Sequence, residues 1–377
     1  SNIHNMKIKN HFLSRLLLAV CILSVVATSC RKDKGGIDPS IFNNTNGFYI
    51  LNQGNMGSNK ASLDYYNYDN AKYVSNIFVT ANPDVGFKLG DVGNDLQIYG
   101  NRMYAVINLS NMVEVMNKRT VKHIGNFTVP NCRYIVFYGS KAYVSSYAGP
   151  VDPSKSQLGY VAEIDTATLK ETRRVTVGYQ PEQMQIVDGK LYVANSGGYN
   201  APNYEKTVSV VDLASFTEIK KIEVGLNLNL VQKDDKGNLY ISSRGNYGDI
   251  PTNIYRLDTH NDNVKSLGIN ASNFVIVGDS LFAIATEYND KGQIQLIKYT
   301  LYDLKKEAVI KDSFISHDVA KIKLPYHIAY NPQRKELYIC DAKDYISAGE
   351  IFCFSLEGNI MWQHQTGDIP AVIAFLK

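Results

Sequence analysis

Tryptophan is almost missing from this sequence: Trp362 stands alone against 26 tyrosines. No apolar run reaches the roughly 20 residues a helix needs to cross a bilayer. The longest, Leu16–Ala27, is interrupted at Ser24. No sustained helical period interrupts the strand-like segments, which argues against a parallel α/β fold. No glycine-rich phosphate cradle appears either, so a nucleotide site is not expected. Charge of one sign is also lacking. The formal net charge is +3, and residues 1–29 carry Lys7, Lys9 and Arg15 with no acid, so 3 − 3 leaves about zero for the remainder. Without a basic stripe there is no electrostatic footprint for nucleic acid.

Period-two alternation broken by turn clusters fills the sequence, the pattern of antiparallel sheet. Residues 191–225, LYVANSGGYNAPNYEKTVSVVDLASFTEIKKIEVG, show it best, with strands over Leu191–Asn195 and Thr207–Asp212 and a third ending at Val224-Gly225. An aromatic in a short apolar run recurs at Tyr49, Tyr104, Tyr143, Tyr192, Tyr240, Phe282 and Tyr338, at separations of 39 to 56 residues. That spacing fits a four-stranded blade, and seven copies predict an all-β, seven-bladed β-propeller over residues 47–377. Short apolar strands before six of the seven aromatics, such as Leu96–Tyr99 and Met184–Val187, would line the channel. The copy at Tyr49 has none upstream. Pro370–Phe375 has the same character and no aromatic strand after it, so it is expected to complete the N-terminal blade and close the ring.

The first residues read as targeting signals. After Ser1–Asn5, a basic segment from Met6 and the apolar stretch to Ala27 form a signal peptide, assigned to residues 1–29. Residues 30–46 (CRKDKGGIDPSIFNNTN) are polar and without period and read as a tether. Of five cysteines, Cys21 leaves with the signal. Cys132, Cys340 and Cys353 read as buried thiols acting as small apolar residues, in preference to a Cys340–Cys353 disulfide.

Two resemblances add to this. Small residues just before Cys30 resemble the lipobox of bacterial lipoproteins, whose cysteine is acylated; this implies lipidation at Cys30 and an outer-membrane lipoprotein on the cell surface or the periplasmic face, touching membrane only through that lipid. LYVANSGG, TVSVVDLASFTEIKKIEVG and YVAEIDTATLKETRRVTVG resemble the repeat of YVTN/YncE-like propellers. Together with the leader, the chain looks like propeller lipoproteins of gut Bacteroidetes, one branch of which captures cobalamin and passes it to a TonB-dependent transporter.

Strand alternation puts the loops after the aromatic strands and the entries to the channel strands on one rim. The entries supply channel-mouth candidates Asp95, Arg133, Tyr134, Gln183, Asn229, Asn273 and His327. The long loops supply Tyr147, Tyr199, Tyr204, Arg244, Tyr247, Tyr288 and Tyr345. Tyrosine offers contact area with a polar tip at low entropic cost, so this rim is expected to bind a polar ligand with apolar faces or a partner protein. The competing reading is that the tyrosines only pack the loops together. Asp95, with Glu182 beside it, supplies too few carboxylates for a hard cation, and the lone tryptophan argues against quinone-dependent propellers; no cofactor, resident metal or catalytic group is expected. The leading expectation is capture of a corrinoid, vitamin B12-like nutrient. A surface-layer or protein–protein scaffold is the alternative, and a metal-dependent lactonase or lyase stands third.

Overall fold

A computed structural model describes residues 41–155, 157–316 and 321–377. The expected signal peptide, Cys30 and most of the tether lie outside the described residues. The compact unit takes in the chain from Phe42, five residues before the expected boundary at Gly47. Phe42 packs against the core and Asn44 donates to the Tyr49 hydroxyl at 3.1 Å, which holds this end of the tether segment to the fold.

Seven four-stranded antiparallel sheets form the propeller. Blade 1 contains β1 (Gly47–Asn52), β2 (Ser62–Asn67) and β3 (Lys72–Val74), followed by a five-residue helix, α1 (Ile77–Ala81). Blade 2 is β4 (Gly93–Tyr99), β5 (Arg102–Ile107), β6 (Met112–Asn117) and β7 (His123–Thr128). Blade 3 is β8 (Cys132–Tyr138), β9 (Lys141–Ser146), β10 (Tyr160–Asp165) and β11 (Lys170–Thr176). Blade 4 is β12 (Pro181–Val187), β13 (Lys190–Asn195), β14 (Thr207–Asp212) and β15 (Thr217–Glu223). Blade 5 is β16 (Leu228–Lys233), β17 (Asn238–Ser243), β18 (Asn253–Asp258) and β19 (Val264–Ser266). Blade 6 is β20 (Asn273–Val277), β21 (Ser280–Tyr288), β22 (Ile294–Asp303) and β23 (Ala308–Lys311). Blade 7 is β24 (Pro325–Asn331), β25 (Glu336–Asp341), β26 (Ala348–Ser355) and β27 (Ile360–Asp368).

The last strand, β28 (Pro370–Leu376), pairs antiparallel with β1 and supplies the missing inner strand of blade 1. All seven repeated aromatics lie on second strands and are at most 5 % exposed. Burial on both faces explains their apolar flanks. In β1, Tyr49 and Leu51 face the core shared with blade 2, while Phe48 and Ile50 face the core shared with blade 7. Apolar cores therefore lie between neighbouring blades, and the alternation of strand side chains sends successive residues into different cores. One close approach recurs. A Cβ at Gly159 would come within 2.2 Å of Pro181 Cδ, and one at Gly349 within 2.3 Å of Pro370 Cδ, so glycine lets the next blade's inner strand begin there. Helix α1 was not foreseen; its Ile77, Phe78 and Ala81 fill the core between blades 1 and 2. Cys132, Cys340 and Cys353 are buried free thiols.

Candidate functional site

In each blade the inner strand starts where the second strand ends. Gly93 sits opposite Ile107, Pro181 opposite Asn195, Pro325 opposite Asp341 and Pro370 opposite Asn52. The long loops and channel entries thus share one face. There a cavity of about 220 Å³ opens at the channel mouth. Six of the seven blades line it, through residues such as Gln53, Asn94, Arg133, Asn229, Asn273 and Tyr326.

The fourth blade contributes from beneath. Glu182, the second residue of β12, is fully buried. Arg133 Nε donates to its Oε2 at 2.9 Å, Arg244 Nη2 lies 3.7 Å from Oε1, and the Tyr147 hydroxyl also donates to Oε1. Arg133 stacks on Tyr147, 4.9 Å from the ring centroid. Arg244 also donates to Asn229 Oδ1 at 3.0 Å. Burial works against the charge of both guanidiniums, but Glu182 and the neighbouring tyrosine hydroxyls, Tyr147 foremost, together outweigh it and hold each above the usual arginine range. Burial, with Glu182 adding to it against Arg133, pushes the Tyr147 hydroxyl well up, so it stays a donor. Three consecutive blades are thereby clamped through one carboxylate, with both guanidiniums on the cavity wall.

A tyrosine group forms the opposite wall. The Tyr288 and Tyr345 hydroxyls lie 3.2 Å apart, the Tyr326 and Tyr345 rings 5.9 Å, and Tyr326 donates to Gln53 Oε1 at 2.7 Å. Burial raises the Tyr326 and Tyr345 hydroxyls above the ordinary phenol range. Tyr147–Tyr199 and Tyr204–Tyr247 make edge-on pairs at 6.2 and 6.4 Å. Tyr199, Tyr204 and Tyr247 do not line the cavity, whereas Tyr134, Tyr288 and Tyr345 do.

The channel-mouth candidates separate into two groups. Arg133, Tyr134, Asn229 and Asn273 line the cavity, as does Arg244 from its loop. Asp95, Gln183 and His327 instead hold the next blade. Asp95 Oδ2 accepts from Ile135 N at 3.0 Å, Gln183 Oε1 from Val231 N at 2.7 Å, and His327 Nε2 from Ile373 N at 3.3 Å. Burial raises the Asp95 carboxyl to about 6 against the pull of those amides, and burial lowers His327 to about 4. Sequence reasoning passed over Gln53, Asn94, Thr286 and Tyr326 as cavity residues, and weighed Glu182 only as a metal ligand. The usable signal for Glu182 was its place one residue before Gln183, at a channel entry. Among the described residues, no group of three or more His, Cys, Asp or Glu is placed to hold a metal ion.

Fold and rim together define a propeller with an elaborated loop face. The chain belongs to the family described as a domain of unknown function (DUF5074), whose model matches residues 46–356. No curated protein matches it. Among solved structures it is similar to a functionally unknown protein from Desulfotomaculum acetoxidans, at TM-score 0.61 and 11% identity over 88% of this chain and 99% of that one. It is also similar to a quinoprotein alcohol dehydrogenase-like protein from Bacteroides thetaiotaomicron, at TM-score 0.58 and 15% identity over 89% of this chain and 79% of that one. Apo AztD from Citrobacter koseri follows at 0.52 and 10%, over 88% and 98%. At such identities the likeness is one of fold.

Proposed function

We propose that this is a non-enzymatic binding protein, anchored to the outer membrane through Cys30, that takes up a polar nutrient on the long-loop face. The observation that carries this is the convergence of six blades on one cavity walled by amides, guanidiniums and tyrosines. Such convergent polar groups in a concave, preformed site suit ligand recognition. A corrinoid handed to a TonB-dependent transporter remains the leading specific ligand. A cavity of about 220 Å³ is smaller than the roughly 300–1,000 Å³ that encloses a drug-sized molecule. A corrinoid would therefore lie across the tyrosine rim with a polar substituent inside. Titrating purified protein with cyanocobalamin is expected to give saturable heat and a spectral change without turnover; a flat titration removes the corrinoid.

A partner-protein surface is the second reading. Met56, Leu158, Tyr199, Tyr247, Ile250 and Ile346, all in loops of this face, are 44 to 74 % exposed. Apolar and aromatic groups on a polar rim favour a protein contact, and capture of a transporter independent of any small ligand would favour this reading alone.

A further inference from the structure

Charge on the cavity wall narrows the ligand. The lining contains Arg133 and Arg244 and no aspartate, glutamate, lysine or histidine. Glu182 lies beneath and answers both guanidiniums, so two positive charges face one negative charge, 2 − 1 = +1. The other carboxyl groups nearby do not line the cavity: Asp95 takes the amides of Leu96 and Ile135, Glu287 takes the amide and hydroxyl of Thr252 and the Asn270 side chain, and Asp341 takes the amides of Lys323, Leu324 and Lys343 while pairing with the Lys343 ammonium.

The donors are also incompletely used. A guanidinium offers five N–H groups. Arg133 donates only Nε to Glu182, and its two terminal nitrogens have no acceptor among the described residues. Buried polar groups are nearly always satisfied. The fork of N–H groups that Arg133 leaves open on the cavity wall marks where a ligand's acceptor atoms belong.

We propose that the cavity recognises a small monoanion by its carboxylate, held between Arg133 and Arg244 with the Tyr288, Tyr326 and Tyr345 rings against the rest of the ligand. This rests on the binding-protein reading and specifies the group recognised. A planar carboxylate matches the guanidinium fork and makes charge-assisted bonds stronger than neutral ones. One uncompensated positive charge matches one negative charge, whereas a phosphate dianion would leave an excess.

The test is calorimetric titration of the full chain with acetate, benzoate, benzamide and inorganic phosphate. Benzoate is expected to bind, and benzamide, its neutral isostere, at least about tenfold more weakly. Asn229→Asp places a carboxylate 3.0 Å from Arg244 without changing side-chain size. It is expected to lower benzoate affinity by at least about tenfold while leaving the melting temperature within a few degrees. Equal binding of benzoate and benzamide, preference for phosphate, no carboxylate binding, or undiminished affinity in Asn229→Asp overturns the inference. Uptake of cyanocobalamin without any carboxylate binding retires the anion and leaves the binding-protein reading in place. Capture of a partner with no small-molecule binding retires both.

Discussion

Glu182 shows what one buried side chain does here. Its carboxylate is the shared acceptor for Arg133 and Tyr147 and the counter-charge for Arg244, so blades 3, 4 and 5 meet at it. Removing one member of a buried ion pair strands the partner in a poorly solvated place, at a cost of about 3–5 kcal/mol. Glu182→Gln keeps the shape and one acceptor but leaves two guanidiniums facing each other. It is expected to destabilise by roughly 3 kcal/mol in urea unfolding, and a loss under about 1 kcal/mol would mean the channel water already screens the pair. Composition cannot reveal such a cluster. Glu182 lies 49 residues after Arg133 and Arg244 another 62 residues on, and only the blade repeat brings them together. The arginines were legible as rim residues because each sits at a recognisable strand end, but their common partner was legible only by position.

At the scale of the strand, the first turns of the inner strands do two jobs that look alike in sequence. Arg133, Asn229 and Asn273 line the cavity, Asn94 lines it while its Nδ2 donates to the Arg133 carbonyl of the next inner strand, and Asp95, Gln183 and His327 reach sideways to a backbone amide of that next strand. The register is irregular at these entries, between Gly93 and Asp95, Cys132 and Ile135, and Pro325 and His327. A shift of one residue exchanges the two directions, so the sequence showed the ring of positions and not which of them face solvent. His327 makes the difference measurable. A neutral imidazole accepts through one nitrogen, and here Nε2 takes the Ile373 amide. Protonation removes that acceptor. Its folded pKa is depressed from 6.5 to about 4, so its contribution to stability is complete above 6.5 and lost as pH falls toward 4. Asp95, raised from 3.8 to about 6, is itself more stable protonated and works in the opposite sense across an overlapping window. The comparison must therefore be with a variant. His327→Gln keeps an acceptor that does not titrate, and thermal unfolding from pH 7 to pH 4 is expected to show the wild type losing on the order of 2 kcal/mol more than the variant. Parallel pH profiles would exclude His327 as a titrating fastener.

For the whole molecule the question is what keeps seven similar sheets a closed ring. The chain runs from each blade into the next, and from β27 of blade 7 directly into β28 of blade 1, so the break in continuity lies inside blade 1, where β28 is held to β1 by strand pairing alone. The lone tryptophan lies at the seam between blades 7 and 1: Trp362 of blade 7 stacks on Tyr66 of blade 1 at 4.2 Å, and Phe48 packs against Tyr338 and Phe375 around it. The Tyr68 and Tyr338 hydroxyls add a 2.6 Å hydrogen bond across the seam. Closure was legible beforehand because an orphan channel strand at one end of the chain matched a gap at the other, whereas the aromatic lock was not, since its members are scattered from Phe48 to Phe375. Ile373 and Leu376 are at most 8 % exposed. Burying those two alone is worth about 3–6 kcal/mol, against a total stability on the order of 5–15 kcal/mol. Deleting residues 370–377 also leaves the β1 edge unpaired and its apolar residues open to water, a surface prone to aggregation. The shortened chain is expected to lose cooperative thermal unfolding and to show red-shifted Trp362 emission at 25 °C. A single sharp transition with unchanged emission would mean the aromatic lock holds the ring without its last strand. In that case Trp362→Ala in the full-length chain becomes the substitution that should open the seam.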